Sequence, residues 1–294
     1  MIRLTLSIGL QYEVGPQGAD FVFNIHAAQT HNQIVLSEAL TISPSTSPKI
    51  HTDAATGNRY MRLHAVAGDL QIQYHTEIEL RHHRAEPLEI AEVAVAHLPP
   101  QVMGYLYPSR YCQSDLLGTF AHQTFGKLPP GYVRVVAIQN WVKKQIMFAS
   151  NTSNSATSAL DTLISRTGVC RDFAHLMIAL CRALNLPARF ATGTDYGADP
   201  ALGPHDFHAY VEVYLGDRWY LFDPSGTGIP MGFVRLGTGR DAADVAVATI
   251  FGLAKVYSPV ISTIALKDAR RGMVLPYLCE QALSTARWRT YLAK

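Results

Sequence analysis

Three residues in this chain have the types and spacing needed to open an amide bond: Cys170, His208 and Asp223. A thiol attacks a carbonyl carbon well only as thiolate, and the positive end of a helix favours that anion. Cys170 stands where such an end is expected. In "RTGVCRDFAHLMIAL", residues 166–180, Gly168 breaks the chain and Cys170 heads an apolar run. Phe173, Met177, Leu180 and Leu184 recur there at three- and four-residue spacings. A cysteine nucleophile also needs a histidine to take its proton, and that histidine needs a third group to hold its tautomer. With 12 histidines in the chain, residue type alone selects none of them. His208 is singled out by position: it opens "HAYVEVYL", which is followed by Gly216–Asp217 and then "RWYLFDP". A two-residue hairpin turn pairs Leu215 with Arg218, and therefore sets Tyr210 opposite Asp223. His208, two residues from Tyr210, is then a diagonal neighbour of Asp223 on one face. A three-residue loop without a bulge would put the two side chains on opposite faces.

These and the neighbouring polar residues also have plainer readings. Free cysteine is among the most buried residue types, and Cys170 lies on the apolar stripe of its own helix. Cys181, farther along nearly the same face with no break before it, is assigned to the core. Asp172 suits the positive helix end as a structural charge. Arg171 is read as structural too, either a surface residue or an electropositive neighbour of the thiolate. "GRDAAD", 239–244, reads as a structural turn with buried ion pairing, because its two acids lack a third ligand. "HDFH", 205–208, could join Cys170 as a metal site, but zinc would leave Asp223 without a role. No Asp-x-Asp-x-Asp-Gly calcium loop occurs. Neither a metal nor another cofactor is expected. If Cys170 is a nucleophile, the tetrahedral oxyanion needs donors. One is the backbone N–H of Cys170, and the second is sought among Gln139, Asn140, Trp141 and Gln145.

The elements that must position these groups differ in texture. Residues 1 to about 85 alternate with period two in "LTLSIGLQYEV", "QIVLSEALTI", "RYMRLHAVA" and "LQIQYHTEIEL", with turn-rich "SPSTSPK" and "TDAATGN" between them. They predict a small all-β sandwich or barrel. Prolines 87, 99 and 100 mark a linker, which divides the chain into 1–90 and 91–294. Helical spacing follows in "SDLLGTFAHQTF", "VRVVAIQNWVKKQIMF" and "SATSALDTLISRTG", the last closing at Gly168 through left-handed dihedrals. The Cys170 helix stops at "NLP", where Pro187 cannot continue it. "ARFATGT", "HAYVEVYL", "RWYLFDP" and "SPVISTIALK" read as strands, and "PYLCEQALSTARWRTYLAK" as a closing helix.

Composition narrows the function classes. The chain is 48% hydrophobic, 16% charged and carries a formal net charge of +2. Its densest basic cluster, "RHHR" at 81–84, reads as a solvated segment between domains, so nucleic acid is not an expected partner. The four cysteines include no C-x-x-C pair and do not form a disulfide framework, which suits a reducing compartment. The first residues are too short in apolar run and too alternating for a signal peptide. No stretch reaches the roughly 18 apolar residues of a membrane span. A soluble, cytoplasmic protein without membrane partners is expected.

"GVCRDFAHLMIALCRALNLPARFATG" followed by "DFHAYVEVYLGDRWYLFDPS" resembles the catalytic core of bacterial transglutaminase-like proteins, within the papain-like cysteine hydrolases and transferases. "YPSRYC" at 107–112, "FVRLGTGRDAADV" at 233–245 and the β-rich N-terminal region are similar as well, so the resemblance covers nearly the whole chain. It implies an α+β fold: an N-terminal all-β domain, then a core in which a nucleophile helix packs on an antiparallel sheet. The family's Cys, His and Asp fall on Cys170, His208 and Asp223. The implied activity is peptidase or amidase chemistry through a thioester on a peptide or protein substrate. Amine transfer to glutamine and a non-catalytic interaction protein are the alternatives. The chain departs from the family where Tyr210 replaces the usual Trp, where Ser225 replaces Thr, and where "TGTDYGADPALGPHD" lacks the usual Gly-Tyr.

Overall fold

The computed structural model describes residues 1–197 and 205–287. Its first strand, β1 (Ile2–Phe23), is the spine of an antiparallel sheet. Along it Ile2, Leu4, Leu6, Ile8, Leu10, Tyr12 and Val14 are buried, while Thr5, Gln11 and Glu13 are exposed. Alternation of this kind commits one face of the sheet to a core. Four strands follow: β2 (Gln33–Ser43), β3 (Lys49–Thr52), β4 (Arg59–Ala65) and β5 (Gly68–Leu80), in the order β2-β5-β1-β4-β3. A short strand, β6 (His83–Ala85), takes up half of "RHHR", whose two arginines are exposed while its two histidines are half-buried. Arg81 pairs with Glu79 at 2.6 Å, and burial pushes the His82 imidazole down to about 4, with Arg84 adding to the effect.

The second part of the chain runs α1 (Gly118–Phe125), α2 (Tyr132–Gln145), β7 (Met147–Phe148), α3 (Ala159–Ser165), β8 (Thr167–Gly168) and α4 (Cys170–Ala183). Then come β9 (Ala188–Asp195), β10 (His208–Leu215), β11 (Arg218–Phe222) and β12 (Phe233–Gly239). β13 (Ala248–Val256) and β14 (Val260–Leu266) return to pair with β1, completing a sheet of seven strands. Strands β1 to β5 thus share one sheet with strands from 248–266. Its apolar face is closed by the second part of the chain, since Met231, Val234 and Leu236 join the cluster built on β1 and β5.

A second antiparallel sheet, β12-β9-β10-β11 with the short edge strand β16 (Ala286–Arg287), stands between that layer and the helices. Val211, Val213 and Leu215 of β10 share a core with Phe173, Met177 and Leu180 of α4. Burying each of those helix side chains contributes roughly 1.5–3 kcal/mol. This is the expected arrangement of an α+β core, with a helix laid on an antiparallel sheet.

Helix ends follow local chemistry. Ser158 caps α3 in a reciprocal box with Asp161, whose Oδ2 accepts the Ser158 N–H at 2.9 Å. The left-handed residue that closes α3 is Arg166, at φ 59°, and not Gly168 as the sequence suggests. Gly168 lies in β8, and its role is close approach: a Cβ there would sit 2.8 Å from the Asp172 Cβ. The far end of α4 stops as expected, with Asn185 at φ 62° ahead of Pro187.

The expected C-terminal helix is not formed between residues 276 and 287. β15 (Ala282–Ser284) pairs with β6 and β16 (Ala286–Arg287) with β11, which satisfies backbone groups of two short strands and buries Ala282 and Leu283. The last part of that expectation, residues 288–294, lies outside the described residues, as do residues 198–204 of "TGTDYGADPALGPHD".

Candidate active site

Cys170 is the first residue of α4, and its place is set from both sides. Upstream, β7 and β8 pair in parallel, Met147 with Thr167 and Phe148 with Gly168, which fixes the approach to the helix. Downstream, Asp172 turns back: its buried Oδ2 accepts the N–H of Val169 at 2.9 Å. Its Oδ1 accepts the Ser153 hydroxyl at 2.9 Å and faces Arg171 at 3.2 Å. Asp172 and Arg171 therefore hold the helix start, as the structural reading has it. The helix N-terminus is the positive end of the peptide dipole, and the half-buried thiol sits on it.

The hairpin has the register expected from the sequence. Leu215 pairs with Arg218 and Val211 with Phe222 across a two-residue turn, with Gly216 at φ 59°. His208 opens β10 and Asp223 follows β11, both buried, with Nε2 and Oδ1 3.5 Å apart. The imidazole also hydrogen-bonds to the thiol of Cys170, whose Sγ is 4.0 Å from the carbonyl oxygen of Phe207. All three side chains meet at one place.

Their electrostatics favour an ion pair. Burial alone would push the His208 imidazole down, but hydrogen bonds to Asp223 and to Cys170 hold it well above its usual 6.5. Burial alone would push the Asp223 carboxyl up, yet His208, the Ser225 hydroxyl and the Gly228 N–H hold it below its usual 3.8. Ser225 Oγ donates to Asp223 Oδ1 at 2.6 Å, and Gly228 N–H reaches Oδ2 at 3.0 Å. The Ser225 hydroxyl thereby orients the carboxylate.

The other cysteines lie elsewhere. Burial pushes the Cys112 thiol up to about 12 and raises that of Cys181 as well. Both are buried in the helix–sheet core, where Cys181 was expected. The "GRDAAD" turn needs one correction: its ion pair, Arg240–Asp244 at 3.0 Å, is largely exposed. The buried acid is Asp241, which accepts the Tyr111 N–H at 2.9 Å and so ties "YPSRYC" to that turn. In "HDFH", His205 is exposed while His208 is buried, and among the described residues no three His, Cys, Asp or Glu are grouped to hold a metal. Of the four candidates for a second oxyanion donor, Trp141 packs edge-on to Phe120 and Phe125. Among the described residues, none of the four hydrogen-bonds to Cys170.

One ionisable side chain beside the imidazole has no counterpart in the sequence reading. Asp195 ends β9, is buried, and lies in the electrostatic field of His208. The only signal in the sequence was an acid closing a run of otherwise uncharged residues after Arg189.

Comparison with known proteins shows the family and the fold. Residues 118–224 match the model of the transglutaminase-like superfamily, and residues 2–101 match that of the bacterial transglutaminase N-terminal domain. A solved structure from Cytophaga hutchinsonii, described as a "putative cysteine protease", is 36% identical and superposes with a TM-score of 0.89. That match covers 96% of this chain and 97% of the other. A Mycobacterium leprae protein described as uncharacterized is 31% identical over 117 residues, 38% of this chain and 42% of its own length. A Mycobacterium tuberculosis protein, also described as uncharacterized, is 33% identical over 109 residues, 33% of this chain and 35% of its own. The chain thus spans less than half the length of these curated relatives.

Proposed function

Because the chain belongs to the transglutaminase-like superfamily, with a bacterial transglutaminase N-terminal domain ahead of the core, we propose that it is a cysteine-dependent peptidase or amidase. The observation that carries this reading is the imidazole of His208, which has Asp223 Oδ1 3.5 Å from its Nε2 and also hydrogen-bonds to the helix-terminal thiol of Cys170. In the reaction, the Cys170 proton passes to His208 and the sulfur attacks the carbonyl carbon of an amide. The resulting oxyanion is held by the Cys170 N–H. Collapse breaks the C–N bond while the imidazolium returns its proton to the departing amine. A thioester remains. Water, deprotonated by His208, then attacks the thioester carbonyl and the C–S bond breaks, releasing acid and restoring the thiol. Asp223 keeps the ring oriented and favours its charged form throughout.

Hydrolysis is preferred over amine transfer because the Cytophaga relative, similar along almost its whole length, carries a protease description. The substrate class is a peptide or protein. The free thiols among the described residues suit the cytoplasm, and no helix there is long and apolar enough to cross a membrane. Incubation with a glutamine-containing peptide, with and without a primary amine, tests the reading. Loss of an amide with gain of a carboxylate, abolished in Cys170→Ser, is expected. Incorporation of the amine would turn the assignment to transglutaminase. Turnover that survives Cys170→Ser would overturn the thiol mechanism altogether.

A further inference from the structure

The reaction above leaves a buried carboxylate unused within the same pocket. Asp195 Oδ2 accepts the hydroxyl of Tyr210 at 3.1 Å, and both residues are buried. The Tyr210 ring packs edge-on to the His208 imidazole, with centroids 4.7 Å apart and planes at 71°, and also touches Phe233 at 4.2 Å. Burial and the nearby carboxylates keep the phenol protonated, so its hydroxyl must donate, and a buried donor needs an acceptor. Asp195 is that acceptor. Its charged surroundings are His208, Asp223 and His205.

Gly228 binds the two carboxylates into one construction. Its N–H donates to Asp223 Oδ2 at 3.0 Å, while a Cβ on it would fall 2.0 Å from Asp195 Oδ2 and 2.4 Å from the Tyr210 hydroxyl. No larger residue fits between them.

Building on the catalytic reading, we propose that Asp195 is a positioning residue. Its carboxylate anchors the Tyr210 hydroxyl, and the ring so held seats the His208 imidazole between Cys170 and Asp223. Its hydrogen-bonded route to the imidazole runs through Tyr210, beside its direct electrostatic interaction with His208.

The test follows the rate of Cys170 alkylation by iodoacetamide from pH 5 to 9, read by mass spectrometry on the full chain. The proteins are wild type, Asp195→Ala, Asp195→Asn, Tyr210→Phe and the double variant Asp195→Ala/Tyr210→Phe, each checked for folding by circular dichroism. Loss of one buried hydrogen bond predicts about a tenfold slower reaction near pH 6 in Asp195→Ala and in Tyr210→Phe. The double variant should be no slower than either single one, because both remove the same contact. Asp195→Asn, which retains an acceptor oxygen, should recover most of the rate. A folded Tyr210→Phe protein with the wild-type profile, or single effects that multiply in the double variant, would overturn the positioning role while leaving Cys170 a nucleophile. If Asp195→Ala does not fold, Tyr210→Phe and Asp195→Asn still decide the matter. A wild-type Cys170 that reacts no faster than Cys279 would instead remove the catalytic reading, and the inference with it.

Discussion

Glu212 gives the sharpest stability prediction. It lies on β10, four residues after His208, and is fully buried. Its Oε2 accepts Arg189 Nε at 2.6 Å and its Oε1 accepts Arg235 Nη1 at 3.0 Å, with the Thr285 hydroxyl at 3.3 Å. Arg189 comes from β9 and Arg235 from β12, so one carboxylate ties three adjacent strands of the core sheet. Both guanidinium groups are themselves buried, Arg189 lying over the Trp219 ring at 4.2 Å. Glu212→Gln keeps the volume but leaves two buried cations facing each other without a counter-charge. Breaking a buried pair in this way costs about 3–5 kcal/mol. At roughly 2–4 °C per kcal/mol for chains of 150–250 residues, the melting temperature should fall on the order of 10 °C. Replacing Glu212, Arg189 and Arg235 together with leucine or methionine removes the desolvation cost as well as the attraction, and should melt near wild type. Differential scanning calorimetry at neutral pH decides. A Glu212→Gln protein that melts within about 2 °C of wild type would refute the reasoning, because the two arginines would then not depend on that charge.

Other perturbations follow from the same contacts. The imidazole of His208 is held above its ordinary value, so its contribution to stability is complete below about pH 6.5 and fades as pH rises through the folded value. The Asp223 carboxyl is held below its ordinary value, so its contribution is present above about pH 3.9 and fades as pH falls through the folded value. Asp223→Asn should therefore flatten the alkaline slope of melting temperature against pH, and an unchanged slope would contradict the pairing. Gly168→Ala drives a methyl to within 2.8 Å of the Asp172 Cβ. Overpacking of about 1–3 kcal/mol is expected by chemical denaturation, together with slower reaction of Cys170 as the start of its helix shifts. Ser158→Ala removes the α3 cap and should cost about 1 kcal/mol in the same assay, with little change at Cys170.

Local rules carried the sequence reading a long way, and tertiary competition marks where they stopped. β1, β4 and β5 alternate because one face of their sheet is buried, and period two is visible along each of them. The hairpin register was legible because a two-residue turn determines every pair in the ladder, which brought His208 and Asp223 onto one face. The C-terminal segment misled because Leu278 and Ala282 stand four residues apart, whereas open edges at β6 and β11 supplied backbone partners that no local pattern records. Gly168 misled for a related reason. A glycine before a helix suggests a left-handed turn, but the constraint on it is the Asp172 side chain packed against its Cα. Asp195 went unnoticed because its partner, Tyr210, lies on the neighbouring strand, and the contact exists only once the sheet is assembled.

The central claim is that the imidazole of His208 activates the thiol of Cys170. Its most direct test is iodoacetamide labelling of all four cysteines at pH 6, with and without His208→Ala. Cys170 should label well ahead of Cys112 and Cys181, whose thiols are buried, and ahead of Cys279; that lead should vanish in His208→Ala. Equal, slow labelling at all four sites, or a lead for Cys170 that survives loss of His208, would contradict the account.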